Sequence, residues 1–543
     1  MTKVLIIGSG ISGLTCAIEC ASRGISSILV SPFPSERAQS VLAAGGINAV
    51  LHTDSGDSIE QHIEDTLKGG GYIAGVKAVT GLCTEAPEIV RWLESLGTVF
   101  SRDENGEIRQ RPFGGQTFPR TCYAGTSTGK QIVTALVMEA RRYEGLGLIE
   151  RRFWTDFHSA LIKDGKCFGA LLFNEAAGTL ESVAADAVVI ATGGQNTLFG
   201  KTTGSTQCDG YTAGRLLMQG VKLKNLEFIQ YHPTAIETDR KNMLISEAAR
   251  GEGGRLYYEE DGKRVYFMED KFGPKGNLMP RDVVSRTMYE TGKDIFLDVS
   301  FLGREKILDR IPEVYDLCMK YRGIDITRES IPVRPSVHFF MGGIAVGLDH
   351  MTNIKDLYAV GECASMYHGA NRLGGNSLLA AVYSGRMAAR SIEKSDVSSG
   401  GLDWSGFVKS EQEKLAARRV VKSDIKVSYV KQVLANSINS ALGIVRSAEG
   451  ISKSMETVDH FLAIKDEISF NESELEYFNY RIDGLLNLGK AMLVCADSRH
   501  ESRGSHLRSD YPDTSDEYKK ATITSLEGGV LRTRLEGEDD YAG

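Results

Sequence analysis

The sequence predicts an α/β protein with an inserted α+β segment and a helical C-terminal domain. Three observations predict it. A short apolar run, Val4-Leu-Ile-Ile, ends in Gly8-Ser-Gly10-Ile-Ser-Gly13 and passes into a helical pattern from Leu14 to Ser22. Two later runs, Ala187-Val-Val-Ile and Leu357-Tyr-Ala-Val, are apolar throughout, as strands covered on both faces of a parallel sheet are. Between Glu227 and Met341 short strands, glycine-rich turns and charged loops break the α/β rhythm, and from Trp404 to about Ala496 leucine, isoleucine and valine stripes recur at helical spacing. The expected organisation is a parallel-sheet domain over 1–227 and 342–395, a capping domain over 228–341, a helical domain over 404–500 and a C-terminal tail over 501–543.

The totals bound the function. A chain of 543 residues exceeds one core and suggests about three or four domains. A net charge of −8 argues against nucleic acid as the main partner. No apolar run approaches the ~20 residues of a membrane span, and Met1-Thr-Lys leads at once into the first strand, so neither a transmembrane segment nor a secretory leader is expected. The nine cysteines include no Cys-x-x-Cys pair, so no zinc, iron–sulfur or other metal site is expected in this chain. Any cluster that exchanges electrons with it belongs to another polypeptide. An odd number of cysteines without a leader reads as reduced thiols in the cytoplasm.

Taken in order, the first turn is a Rossmann-like G-x-G-x-x-G. Gly8 makes the turn, Gly10 lets a pyrophosphate approach the backbone, Gly13 packs helix on strand, and the helix N-terminus faces the phosphates. The next strand, Ile25 to Val30, ends in Ser31-Pro32 rather than in the acidic residue that holds the ribose of a simple dinucleotide site. The small-residue stretch Arg37 to Ala49 is suited to lying along a flat ligand. Ser58 to Leu96 reads as cover helices, Lys130 to Tyr143 as a helix, and Ile149 to Ser182 as a strand meander. Asp209 either caps the helix that opens after Cys208-Asp209-Gly210 or reaches the cofactor, the cap being preferred. Ser395 to Asp403 is a linker, and the polar stretch beyond Gly504 is expected to wrap the surface. The richest segment runs from His338 to Ser377, with Arg281 upstream. His338, Arg372 and dense glycine suggest an anionic small molecule held against a cofactor.

These motifs recur together in one order: the Gln39 to Gly46 segment, Arg111-Pro-Phe113-Gly-Gly, Arg120-Thr-Cys-Tyr-Ala-Gly, Ala191-Thr-Gly193-Gly, His232-Pro-Thr234, Glu247-Ala-Ala-Arg250-Gly-Glu-Gly-Gly, Pro280-Arg281-Asp, His368-Gly-Ala-Asn-Arg372 and Glu501-Ser-Arg-Gly504. In this the chain resembles the flavoproteins of the succinate dehydrogenase, fumarate reductase and L-aspartate oxidase family over residues 1 to about 515. The resemblance implies a Rossmann-like FAD-binding domain, with FAD along Gly8, Gly10, Gly13, Ser31, Gln39, Ser40, Gly45, Gly46, Ala191, Gly193, Asp209, Glu362, Asn376, Ser377 and Leu378. It implies a C4 dicarboxylate (fumarate or succinate) between Arg372 with His338 and His232 with Thr234, Phe113 on the wall, and Arg281 as proton donor served by Glu247 and Arg250. Respiratory members carry a flavin-linking histidine where this chain has Gln39. The resemblance therefore implies FAD held without a covalent bond and a lower potential, hence fumarate reduction or the oxidation of a substrate easier than succinate, with fumarate reduction the preferred reading. L-Aspartate oxidase is the alternative, and a flavin electron-relay subunit is a reading from another class. Aspartate oxidases place a glutamate where Phe113 stands, which tilts the substrate toward a plain dicarboxylate. The family pattern further implies a separate iron–sulfur subunit, with a cytoplasmic location peripheral to the inner face of the membrane through partner subunits.

Overall fold

The computed structural model describes residues 2–54, 56–125, 127–239, 241–395, 401–419, 421–469 and 480–537. Five parallel strands form the central sheet in the order Leu357–Ala359, Ala187–Ile190, Lys3–Ile7, Ser26–Val30 and Ile149–Arg152. Their apolar runs are buried on both faces, with Val4, Leu5, Val188, Val189 and Leu357 at 0% exposure, as an all-parallel sheet requires. The Ile11–Ser22 helix crosses over between the first two strands and packs against the Asn376–Lys394 helix. A Cβ at Gly385 would lie 2.6 Å from the Ser12 carbonyl oxygen, so these two helices touch backbone to backbone.

The expected meander is corrected at its start. Ile149–Arg152 leaves it to become the edge strand of the central sheet, and the meander proper is Thr155–Lys163, Lys166–Asn174 and Thr179–Ala184. The Thr128–Gly145 helix begins before Lys130, because the Thr128 hydroxyl accepts the Ala124 N–H at 3.1 Å.

Residues 229–340 build a six-stranded antiparallel sheet in the order Asn242–Leu244, Ile229–Glu237, Ile331–Phe340, Ile295–Asp298, Arg255–Glu260 and Lys263–Val265. It has its own core around Ile236, Val284, Leu297 and Ile331. The Arg281–Thr291 helix lies on the Ile229–Glu237 strand, where the Ser285 hydroxyl donates to the Tyr231 carbonyl at 3.2 Å. That contact sets the helix N-terminus, and with it Arg281, over the cavity beneath.

The C-terminal region contains the helices Ser405–Arg419, Val427–Ala441, Ala448–Ala463 and Ile482–Ser498. Tyr211–Met218 packs on the last of these so closely that a Cβ at Gly214 would lie 2.0 Å from the Gly484 carbonyl oxygen. The Ser405–Arg419 helix does not join a bundle core. Its Phe407, Val408 and Leu415 cover Leu161, Leu171 and Leu180 of the meander. Most of the expected linker, 396–400, lies outside the described residues. Among the described residues no helix is long and apolar enough to cross a membrane.

The tail departs from expectation. Ala521–Glu527 and Val530–Glu536 form a hairpin that adds two strands to Leu223–Lys224, completing the sheet Ala364–Ser365, Gly343–Ala345, Leu223–Lys224 and the hairpin. Its turn is Gly528-Gly529, both at positive φ (58° and 80°), the signature of a tight two-residue hairpin. Ile523 is 1% exposed, so Ile523→Ala should lower stability by about 2–4 kcal/mol, read as a lower urea midpoint at unchanged slope.

Candidate active site

The first strand delivers the cofactor turn. Gly8 has φ +113°, and a Cβ there would lie 2.2 Å from the Ala191 carbonyl oxygen. Only glycine fits where the turn crosses the neighbouring strand. The Ser9 and Ser31 hydroxyls hydrogen-bond to each other at 2.8 Å just beyond it. From there a cavity of about 470 Å³ runs past Gly10, Ser31, Ala191, Gly193 and Asp209 toward the cap sheet. Gln39, Ser40, Gly45 and Gly46 form one wall. The Ile11 N–H donates to Ser40 Oγ at 3.3 Å, and Arg111 donates to the carbonyl oxygens of Ala44 (3.1 Å) and Gly45 (3.2 Å), so the segment is held at both ends. Across from it Glu362 accepts the Phe340 N–H at 3.1 Å, and burial pushes its carboxyl up to about 7. Ser377 and Leu378, in the first turn of the Asn376–Lys394 helix, line the same space. Asp209 accepts the Tyr211 N–H at 3.0 Å and pairs with Arg481 at 3.0 Å. Two helix N-termini, bare glycine backbone and an elongated cavity suit an extended phosphate-bearing dinucleotide. The Gln39 Oε1 atom on this wall is buried without a partner among the described residues.

At the far end the cavity meets a cluster of cations. Arg281, in the first turn of its helix, donates Nε and Nη2 to Glu247 Oε2 at 2.8 and 2.6 Å and Nη1 to Gln230 Oε1 at 2.9 Å. Glu247 Oε1 accepts the Gly114 N–H at 2.7 Å and lies 3.4 Å from Arg250 Nη2. Burial pushes the Glu247 carboxyl up, but Arg281 and Arg250 outweigh it and hold it at about 2. Arg372 donates to the same Gln230 oxygen at 2.9 Å and lies over the Phe339 ring at 4.3 Å. His232 and His338 stand edge to face at 5.0 Å between ring centres. Burial, with Arg281 beside His232 and with His232 itself beside His338, drives both imidazoles well below their ordinary range, so both are neutral. His338 Nδ1 bonds the Thr203 hydroxyl at 2.8 Å. Three guanidiniums against the Glu247 carboxylate leave two positive charges in excess. His232 Nε2 and Arg372 Nε are buried without partners among the described residues, and both residues line the cavity. The cluster therefore offers buried cationic and hydrogen-bonding groups suited to an anion.

Residues 3–378 match the family described as FAD binding domain, and residues 431–539 the family described as fumarate reductase flavoprotein C-term. The chain is 35% identical to the succinate dehydrogenase flavoprotein subunit of Bacillus subtilis, over 96% of this chain and 93% of that one. It is 34% identical to one of the subunits of the fumarate reductase (CoM/CoB) of Methanothermobacter marburgensis, over 96% of each. Its structure superposes on a variant of E. coli quinol fumarate reductase with a TM-score of 0.90 at 28% identity, over 99% of this chain and 97% of that chain. The chain belongs to the succinate dehydrogenase/fumarate reductase flavoprotein family. It is an FAD-dependent oxidoreductase of the class that acts on CH–CH bonds.

Within this flavoprotein, His232, Glu247, Arg281, His338 and Arg372 come together on one cavity wall, and Phe113, 3% exposed, closes it against Gly45 and Gly374. Three expected contacts are corrected. Thr234 does not reach the cavity. The strand register shifts between His232 and Ala235, and the Thr234 hydroxyl turns away to donate to the Ile245 carbonyl at 2.9 Å. Ser246 stands on the cavity wall instead. The Asn376 side chain is also turned inward. It accepts from Asn48 at 2.7 Å, bonds His62 at 3.1 Å and donates to Thr66 at 3.0 Å, beneath the cavity floor. Gly13 packs helix on strand, a Cβ there lying 1.9 Å from the Gly8 carbonyl oxygen, and does not line the cavity. Arg250, expected to serve Arg281 with Glu247 rather than to meet the ligand, stands behind Glu247 and donates to the Asn277 carbonyl at 2.6 Å.

Three residues were missed: Gln230, Ser246 and Thr203. A signal existed for two of them. Gln230 shares a strand face with His232 by the two-residue period, and Ser246 immediately precedes Glu247. Nothing local singles out Thr203. The Glu247 carboxyl falls from 4.5 to about 2 in the folded chain, so its contribution to stability is complete above about pH 4.5 and is lost as pH falls through about 2. Wild type should therefore exceed Glu247→Gln in stability by a constant amount above pH 5, and urea titrations should show the gap closing between pH 4.5 and 3.

Proposed function

We propose that this flavoprotein reduces fumarate, binding it as a dianion between Arg372 with His338 and His232 with Ser246, with Arg281 as the proton donor. The observation that carries the reading is the Arg281–Glu247 pair facing the same space as Arg372, with two positive charges in excess. Bound FAD supplies the hydride. The chain's residues do the rest. Arg372 forks onto one carboxylate, and its buried Nε is free to complete that fork. His232 Nε2 and the Ser246 hydroxyl meet the other carboxylate, and holding it out of plane polarises the double bond. Arg281 delivers a proton to the carbon that becomes electron-rich. An arginine donates only if it is resupplied, and Glu247, bonded to it and 3.4 Å from Arg250, offers the path.

Aspartate oxidation is the weaker reading, because the buried Phe113 offers no carboxylate to an ammonium. A pure electron relay is disfavoured too, since it needs no dianion pocket. The nine cysteines are all buried and lack cluster spacing, so electrons come from a partner, which we identify with an iron–sulfur subunit lying at the cytoplasmic face of a membrane. The B. subtilis and M. marburgensis relatives are themselves named as subunits.

The test is steady-state reduction of fumarate with an artificial donor, with aspartate as control; peroxide from aspartate at a comparable rate would reverse the reading. Arg281→Gln should lower kcat by about 10²–10⁴-fold with little change in dicarboxylate binding. Arg372→Gln should also weaken binding, by ~2–4 kcal/mol. Near-normal kcat in Arg281→Gln would move the proton donor to a histidine. Because Gln39 offers no imidazole, acid precipitation should release the flavin into the supernatant; yellow colour retained by the denatured chain would refute non-covalent binding.

A further inference from the structure

Two guanidiniums of the cluster share one acceptor. Arg281 Nη1 and Arg372 Nη2 both donate to Gln230 Oε1 at 2.9 Å. A carbonyl oxygen has two lone pairs, and each here faces a cation. The other end of the amide is equally committed. Gln230 Nε2 donates to the Arg372 carbonyl at 2.8 Å and to Asn371 Oδ1 at 2.7 Å, and Asn371 Nδ2 donates to Asp282 Oδ1 at 2.8 Å. Every donor in the chain points the same way, from the arginines outward to the Asp282 carboxylate. Each amide dipole is thus aligned by the charges at both ends. Gln230 is 0% and Asn371 2% exposed, so water does not compete. Asp282 directly follows Arg281 and lines a second cavity of about 350 Å³ with Ser285, Arg503 and Ser505, which shares no lining residue with the first.

We propose that Gln230 is the positioning residue that fixes the separation of the Arg281 and Arg372 heads, and that Asp282, acting through Asn371, decides which end of the Gln230 amide faces them. The proposal rests on the reading of Arg281 as proton donor and Arg372 as carboxylate clamp. Without a shared acceptor the two cations repel and swing apart. A reversed amide is worse, because it sets an NH2 group against two guanidiniums. Since one head grips the ligand and the other faces the carbon to be protonated, their separation sets where the proton arrives. Ligand binding and proton delivery are coupled through one oxygen atom.

The experiment compares the FAD-loaded wild type with Gln230→Met, Gln230→Glu, Asp282→Leu and Asp282→Asn. It uses crystal structures, fumarate kinetics and titration with malonate, a dicarboxylate with no double bond to reduce. Gln230→Met, near in shape but without the acceptor, should widen the gap between the heads and cut kcat/KM by about 10²-fold. Gln230→Glu should pair with Arg372, raising KM and weakening malonate binding by at least about tenfold while kcat changes less. Asp282→Leu should turn the amide and cost about thirtyfold, whereas Asp282→Asn, still able to accept from Asn371, should cost about threefold. An unchanged head separation in Gln230→Met, or equal losses in the two Asp282 variants, would overturn the proposal. A wild type that reduces no fumarate would overturn the functional reading alone, and the crystallographic separations would still decide the positioning.

Discussion

Burying three guanidiniums in one small volume is the constraint around which this flavoprotein is arranged. Charges removed from water cost several kcal/mol each unless they are paired and hydrogen-bonded. Glu247 neutralises one, with the Gly114 N–H satisfying its second oxygen. The Gln230 oxygen lies between Arg281 and Arg372, and the Asn277 carbonyl holds Arg250. What these contacts leave over is positive charge and unfilled donors: His232 Nε2 and Arg372 Nε on the cavity wall, and Arg250 Nε behind Glu247. The histidines do not add to it, since burial keeps both neutral. Under the proposed reading, a dianion entering the cavity completes the pairing.

Holding that arrangement requires elements far apart in the chain to meet within a few ångströms. The Ile229–Glu237 strand carries Gln230 and His232, its partner Ile331–Phe340 carries His338, a helix N-terminus carries Arg281, and the loop before Asn376–Lys394 carries Arg372. The C-terminal region locks the base of this construction. Arg499 pairs with Glu227 at 2.7 Å and donates to Thr522 Oγ1 at 2.8 Å, while the Asn225 N–H donates to the Thr522 carbonyl at 2.8 Å. Arg446 donates to the Glu227 carbonyl at 2.6 Å and bonds His506 at 2.7 Å. Residues 225–227 are where the chain enters the cap sheet. The tail hairpin and the helical region therefore hold the segment through which the chain enters the cap sheet.

Local chemistry made much of this visible in advance. The first strand and its glycine turn, the doubly covered strands and the cover helices follow from apolar periodicity and from backbone that only glycine can adopt. The Gly528-Gly529 turn between β-branched runs was an equally local hairpin signal, outweighed by the polarity of the tail around it. Polarity misleads there because the hairpin buries polar side chains beside Ile523: the Thr522 hydroxyl donates to Glu227 Oε1 at 2.6 Å and the Thr524 hydroxyl hydrogen-bonds Cys495 at 2.7 Å.

By itself the sequence determined which residue types could make the site and the order in which the chain offers them: glycine at the turn, glutamine at 39, arginines and histidines spaced from 232 to 372. Only the tertiary structure decided which of them face one another. A register shift between His232 and Ala235 turns Thr234 away and leaves Ser246 on the wall. Asn376 points beneath the floor because Asn48, His62 and Thr66 converge on it from distant segments. Gln230 becomes the hinge of the cluster because two arginines, 51 and 142 positions along the chain, arrive at its oxygen together. The physical reason is common to all three. A side chain's direction is set by strand register and by the partners that satisfy its polar atoms, and those partners are brought near by the fold rather than by sequence neighbours.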